Sequence, residues 1–314
     1  MRPLWKDVLA ALWLGVLLPG LVLQIFVLKA RHTPPPDPEP TESQGLTVLV
    51  QHPGDVKETM ELGRYLTGVL LAEIPASFSD QALKAQAVAA RTYAWKTCTQ
   101  GSRHEGRVCT DHTCCQAYLA EQDYLDRGGR EADLSRIRAA VEETAQYVLM
   151  HEGELIEAVY FSSSGGETES ALAVWGRDFP YLKSVPSPGE EESRHHRERI
   201  TFSREALEDA LGVTLSGEPA AWPGTVSHTE GGGVAEIELM GKTFTGTEIR
   251  TLLQLPSTAF TLEPEEDGLS FLTRGWGHRV GMSQYGANAM AQAGSTWQQI
   301  LQHYYPGTTI APIC

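Results

Sequence analysis

Positive charge is in short supply. The chain has 25 Lys and Arg against 40 Asp and Glu, a formal net charge of −15. So acidic a surface repels nucleic acid, teichoic acid and anionic lipid alike, which excludes nucleic acid as the main partner and leaves a neutral glycan compatible. Several common signatures are missing too. Gly241-Lys-Thr looks like the end of a phosphate loop, but position 236, where the first glycine belongs, is Glu236. His104-Glu105 and His151-Glu152 have no histidine three residues beyond the glutamate, so there is no zincin motif, and there is no Gly-x-Ser-x-Gly elbow. Internal repeats are absent. Cysteine is sparse and odd in number, with Cys98, Cys109, Cys114, Cys115 and Cys314, which does not suit a tidy disulfide framework.

Long apolar runs are also lacking, with one exception. From Val8 to Leu28, 21 residues pass without a charge, enough to span a hydrocarbon core of roughly 30 Å. A cleaved leader would have a shorter apolar core and a small-residue cleavage site; this run ends in Leu-Lys-Ala-Arg-His, so the reading is an uncleaved anchor crossing the membrane once. Five prolines follow within positions 34–40. They forbid helix and favour extended polyproline II, a stalk able to hold a domain about 40 Å from the bilayer.

The folded part begins near Leu46 with a strand-like Leu-Thr-Val-Leu-Val. Apolar Met60, Leu62, Leu66, Val69 and Leu70 predict a helix over Glu58–Leu71, stopped by Pro75. Ser79 or Asp80 caps a second helix from Gln81 to about Lys96, rich in alanine. A third helix is expected over Glu131–Tyr147, then strands at Tyr147–Met150 and Leu155–Tyr160. Residues 187–257 look like an insertion, with a short helix at Arg204–Leu211, a turn at Gly231 and a strand at Val234–Met240. A glycine-rich loop, Gly275–Gly281, leads into a last helix. Helices and strands that do not alternate point to an α+β fold rather than a doubly wound sheet.

Two constellations carry chemistry. Glu73 lies just beyond the first helix, between it and the second; the C-terminal end of a helix disfavours a second negative charge nearby, and Leu71, Ile74 and Phe78 can desolvate it. Both effects raise a carboxyl's pKa, as a general acid requires. His104, Cys109, His112, Cys114 and Cys115 offer five nitrogen or sulfur ligands within 12 residues, and zinc favours four in a tetrahedron. A Cys109–Cys115 or Cys98–Cys114 disulfide is the alternative.

The stretch 73–94, Glu-Ile-Pro-Ala-Ser-Phe through Ala-Val-Ala-Ala-Arg-Thr-Tyr-Ala, resembles the signature of the stage II sporulation protein D family. So do Tyr160-Phe-Ser-Ser-Ser-Gly-Gly166 with Val174-Trp-Gly and Pro180-Tyr-Leu-Lys-Ser-Val185, and Arg274-Gly-Trp-Gly-His-Arg-Val-Gly-Met-Ser-Gln-Tyr-Gly-Ala287 with His303-Tyr-Tyr-Pro-Gly307. Three blocks in order cover nearly all of 46–310. The resemblance implies a lytic transglycosylase that cuts denuded peptidoglycan strands between muramic acid and glucosamine, with Glu73 as acid and base. One carboxyl suffices there, because the sugar's own 6-hydroxyl replaces the second carboxylate or water of an ordinary glycosidase. It further implies a glycan groove lined by Ser163, Ser164, Gly165, Gly166, Trp276, His278, Ser283, Gln284 and Tyr285. Zinc would be held by His104, Cys109, Cys115 and Cys114, with His112 as the alternative fourth ligand. The sequence departs from the family's Gly-His-Gly at Arg279 and from its Gly-Arg-Gly at Thr273. The expected organisation is a cytoplasmic tail (1–7), a transmembrane anchor (8–28), a stalk (29–45) and an extracytoplasmic catalytic domain (46–314) with a subdomain inserted at 187–257. Expected partners are glycan strands, the membrane, and the membrane-bound amidase and scaffold proteins of the engulfment machinery at the sporulation septum; a wall-binding protein that only stimulates an amidase is the rival reading.

Overall fold

The structure is a computed structural model and describes residues 45–100 and 105–313. The expected tail, the anchor at 8–28 and nearly all of the stalk lie outside the described residues, as do His104 and Cys314. Among the described residues no helix is long and apolar enough to cross a membrane.

The fold is a mixed α+β arrangement with two separate apolar cores. Strand β1 (Thr47–His52) alternates, turning Val48 and Val50 inward, and pairs antiparallel with β2 (Val56–Glu61). Glu58 to Met60 therefore belong to a strand and not to the first helix. Met60 satisfies both a period of two and a helical spacing, and pairing with Val48 settles the choice. Helix α1 (Leu62–Glu73) buries Leu62, Tyr65, Leu66, Val69 and Leu70, a single helical stripe. It ends where Ile74 turns extended ahead of Pro75, which disfavours helix at the residue before it.

Helix α2 (Asp80–Thr99) buries alanines 82, 85, 87, 89, 90 and 94, whose small side chains let neighbouring elements approach on several sides. Strand β3 (Arg107–Cys109) joins β1 in parallel. After α3 (Glu121–Asp126), α4 (Glu131–Glu143) stops short of the expected Tyr147. The cause is Arg91 on α2. Fully buried, it donates from Nη1 to the carbonyls of Thr144 (2.8 Å) and Tyr147 (3.3 Å) and from Nη2 to Val141 (2.9 Å), taking up carbonyls that the helix end leaves open. Strands β4 (Tyr147–His151) and β5 (Glu154–Leu155) form a hairpin. The strand expected over Leu155–Tyr160 is broken, resuming only as β6 (Tyr160–Phe161).

A short helix α5 (Ala171–Trp175) precedes the second core. There β7 (Glu198–Ser203), α6 (Arg204–Leu211), β8 (Pro223–His228), β9 (Val234–Leu239), β10 (Lys242–Thr245), α7 (Gly246–Leu252), β11 (Phe260–Glu265) and β12 (Gly268–Thr273) build two three-stranded sheets, ordered β10-β9-β8 and β11-β12-β7. Their shared interior contains Trp222, Ile237, Phe244, Phe260 and Phe271, so this core reaches beyond residue 257. Ser203 caps α6, and Thr245 with Glu248 forms a capping box on α7. The chain then returns to the first core. Strand β13 (Met282–Ser283) lies parallel to β6, helices α8 (Gln284–Gln292) and α9 (Trp297–Tyr304) follow, and β14 (Thr309–Pro312) closes on β4.

Candidate active site

Glu73 is the last residue of α1 and is half-buried. Its Oε1 accepts a 2.7 Å hydrogen bond from the backbone N–H of Ala117. Burial raises its pKa above the ordinary carboxylate value, while the Ala117 N–H and the charge of His112 pull the other way. Tyr160 lies within electrostatic reach of it, and burial together with the Glu73 charge holds the phenol protonated. The Tyr160 hydroxyl accepts from Gln116 Nε2 at 2.8 Å, and Gln116 Oε1 accepts from Tyr65 at 3.3 Å, a buried chain of polar groups beside the carboxyl. Such a site favours the protonated carboxyl more than water does and holds it in a fixed direction.

The sulfurs of Cys109, Cys114 and Cys115 lie within 4.8 Å of one another. Three thiolates around one zinc, each about 2.3 Å from the metal, need comparable spacing, so the three residues fit such an ion. Burial pushes the Cys115 thiol up to about 12, which a bound cation would reverse. His112 is exposed beside Asp111 and outside this cluster. The cluster is tied to Glu73 through the chain that follows it, because Cys115 is followed directly by Gln116, which bonds Tyr160, and Ala117, which bonds Glu73.

The serine-rich turn meets the glycine-rich loop edge to edge. Ser163 N–H donates to Trp276 O (3.3 Å) and Trp276 N–H to Ser163 O (2.7 Å). At Gly275, φ is +78° and a Cβ would lie 2.5 Å from Ser163 O, so both the backbone angle and the close approach demand glycine. Ser163, Ser164, Ser283 and Gln284 are buried and turned inward. For Ser164 and Ser283 the reason is Glu190, itself 1% exposed. It accepts from Ser164 N–H (2.6 Å), Ser164 Oγ (2.8 Å), Gly165 N–H (3.0 Å), Ser187 Oγ (2.5 Å) and Ser283 Oγ (2.7 Å). Ser187 also bonds Tyr304, and a Cβ on Gly286 would strike Ser187, Tyr304 and Glu190 together.

The remaining predicted residues divide. Trp276 is 45% exposed and packs on His195 with centroids 4.0 Å apart. His278 sits between Phe161 and Trp175, and burial drives its pKa down to about 4, so it is neutral. Tyr285 is half-buried, edge-on to Phe78 at 5.0 Å, on the loop that leaves Glu73. Gly166 is exposed and Gly165 half-exposed. Arg279 has φ +64° and is 2% exposed, with its guanidinium pointing inward. It pairs with buried Glu169 (3.2 Å) and donates to the carbonyls of Ser164 (2.8 Å), Glu167 (2.8 Å) and Gly231 (2.7 Å).

Residues 51–151, which hold Glu73, α2 and the cysteines, match a family model described as Stage II sporulation protein. Over 259 residues the chain is 39% identical to Stage II sporulation protein D of Bacillus subtilis (strain 168), covering 81% of this chain and 75% of that protein. The chain belongs to the stage II sporulation protein D family. It is 37% identical over the same coverage to the Bacillus amyloliquefaciens protein of that name. It is also 31% identical over 304 residues to a B. subtilis protein named Amidase enhancer, covering 78% of this chain and 40% of that one.

Several residues that support Glu73 and the serine turn are absent from the sequence reading. Gln116 and Ala117 had a signal, since they follow the cysteine pair directly. Trp175, 41% exposed beside His278, lies inside the Val174-Trp-Gly motif. Glu190 had none: it opens the run Glu190-Glu-Glu, which reads as a solvated acidic loop.

Proposed function

We propose that the chain is a lytic transglycosylase acting on the glycan strands of peptidoglycan. The observation that carries this is Glu73, a half-buried carboxyl with a raised pKa, fixed by one backbone N–H and adjoining a neutral phenol. Protonated Glu73 gives its proton to the glycosidic oxygen as the bond from muramic acid C1 breaks. The 6-hydroxyl of the same sugar forms the new bond to C1 and returns a proton to Glu73, restoring the acid. Tyr160 and Gln116 hold the carboxyl's surroundings without exchanging protons. Trp276, Trp175, Tyr285 and Gly166 offer the accessible surface for the strand, while Ser163, Ser164 and Ser283 shape it from behind. Incubating denuded strands with the protein should release 1,6-anhydro ends, detected by mass spectrometry. Their absence with wild type sinks the reading.

The relative named Amidase enhancer favours a second reading, in which the chain binds the wall and stimulates an amidase without cutting glycan. In that case Glu73→Gln would leave amidase stimulation intact and no anhydro product would form with either protein.

Zinc on Cys109, Cys114 and Cys115, with His104 as fourth ligand, is part of the proposal. The exposed position of His112 favours Cys114 over it. The ion would fix the turn that presents Ala117 N–H to Glu73, a structural role. Elemental analysis should find one zinc per chain, retained in His112→Ala and weakened in Cys114→Ser; no zinc together with a mapped Cys109–Cys115 disulfide removes the site. We place the protein on the membrane through Val8–Leu28, outside the cytoplasm at the sporulation septum, with an amidase and the engulfment machinery as partners. An N-terminus found between residues 20 and 45 in the native protein would overturn the anchor.

A further inference from the structure

The second core is not closed. Between β8 and β11 a groove of about 320 Å³ opens onto it, floored by Ile237 and Phe260 and walled by Pro219, Val226 and Leu262. Val226 is 37% exposed there. Both flanking strands are sheet edges: β8 ends the order β10-β9-β8, and β11 ends β11-β12-β7. Pro264 blunts β11 as a template. Strand β8 opens at Pro223 and shifts register before Val226 and after Ser227, but it is exposed from Gly224 to His228 and its far side pairs with no strand among the described residues.

The two faces of β8 differ in chemistry. Val226 lies opposite Ile237 on the groove face, and Ser227 opposite Glu236 on the other. Glu238 shares the Glu236 face, and its carboxyl reaches across to β8, where a Cβ on Gly224 would meet it at 2.9 Å. Neither Glu236 nor Glu238, nor Glu218 beside Pro219, has an ion-pair partner among the described residues. No Lys or Arg lies in the groove lining or next to it in sequence. Residues 198–273 hold 13 Asp and Glu against 4 Lys and Arg, a net −9 of the chain's −15. A strand added to β8 would thus place alternate side chains over an apolar groove and the intervening ones against unanswered carboxylates.

We propose that this edge docks an extended segment of another protein in which apolar residues alternate with lysine or arginine. Open peptide groups select a β-strand, the groove selects apolar side chains at every second position, and the acidic face selects cations between them. Sugars suit it poorly, because the lining is mostly apolar side chains and proline. The proposal does not depend on the glycan reading.

The test uses the purified full chain and a fluorescein-labelled peptide of alternating Val and Lys, followed by fluorescence anisotropy. Saturable binding is expected. It should weaken at least tenfold in Val226→Lys, an exposed site whose substitution should leave Tm unchanged, and comparably in the double variant Glu236→Lys, Glu238→Lys. It should also weaken when the peptide's alternate amides are N-methylated, and persist in Glu73→Gln. Several results overturn the idea. They are no binding, equal binding of the methylated peptide (charge attraction alone), equal binding of a Val/Glu peptide, or no effect of Val226→Lys. Self-association abolished by Val226→Lys in sedimentation would make a second copy the occupant instead.

Discussion

Around Glu73 the chain spends polar side chains on its interior, whereas the inserted region keeps its interior apolar and its charge outside. Gln86, Arg91, Gln116, Ser164, Ser187, Glu190 and Ser283 are all buried in the first region, and most have assigned partners. The second packs Trp222, Phe244, Phe260 and Phe271 with few buried polar groups. Buried polar networks fix geometry more tightly than apolar packing does, and each member lost leaves a partner unsatisfied. The lesson is that motif density in this sequence follows the polar interior. The insert needs only the right pattern of apolar residues, and the body needs particular atoms. Among the places where the two regions meet is a polar knot in which Glu169 accepts from Thr229 Oγ1 and Gly233 N–H while Arg279 donates to Gly231 O.

The sharpest challenge to this contrast is Glu73→Gln, which should lower glycan cleavage by at least about 10²–10⁴-fold with the fold intact. The same variant has a stability signature. Because burial raises the folded pKa of Glu73 above its unfolded value, folding favours its proton. The stabilisation is full below the ordinary carboxylate pKa and is lost as pH rises through the folded pKa. Glu73→Gln should therefore have a slightly higher Tm than wild type at neutral pH and match it in acid; a lower Tm at neutral pH would mean the carboxylate is stabilised in place.

Next in size is Glu190→Ala, which orphans several buried donors and should cost about 3–5 kcal/mol in denaturant unfolding while collapsing glycan binding. Little change in either would show that the serine turn holds itself. Phe271→Ala should cost about 3–5 kcal/mol as well, by leaving a cavity. If cleavage falls in proportion at temperatures where the variant is folded, the two regions are not separable and the contrast fails.

The smallest and finest test is the knot. Arg279→Ala should destabilise by about 3 kcal/mol through loss of a buried pair. Arg279→Gly should be about 1 kcal/mol better than Ala, because glycine takes the left-handed backbone without strain. Equal effects would mean the positive φ relaxes once the guanidinium is gone.

The sequence by itself determined most of the local elements and named a candidate reactive residue. A period of 3.6 placed α1 from Leu62 onward, Pro75 and the alanines bounded α1 and α2, and the first block of motif residues singled out Glu73. The short helix expected near Arg204–Leu211 forms there, where its caps are local, a serine before and a glycine after. The tertiary structure decided what depends on contacts distant in sequence. Only pairing with β1 made Glu58–Met60 a strand, and only Arg91, some 50 residues away, ended α4 early. The cysteine cluster became a support for Glu73 through Ala117, 44 residues along the chain from the carboxyl. Ser164 and Ser283 of the expected groove turned inward because Glu190, in a run that looks solvated, accepts from their hydroxyls. A carboxylate's partners cannot be read from its neighbours in sequence: burial sets the penalty for leaving it unpaired, and burial is a property of the whole fold.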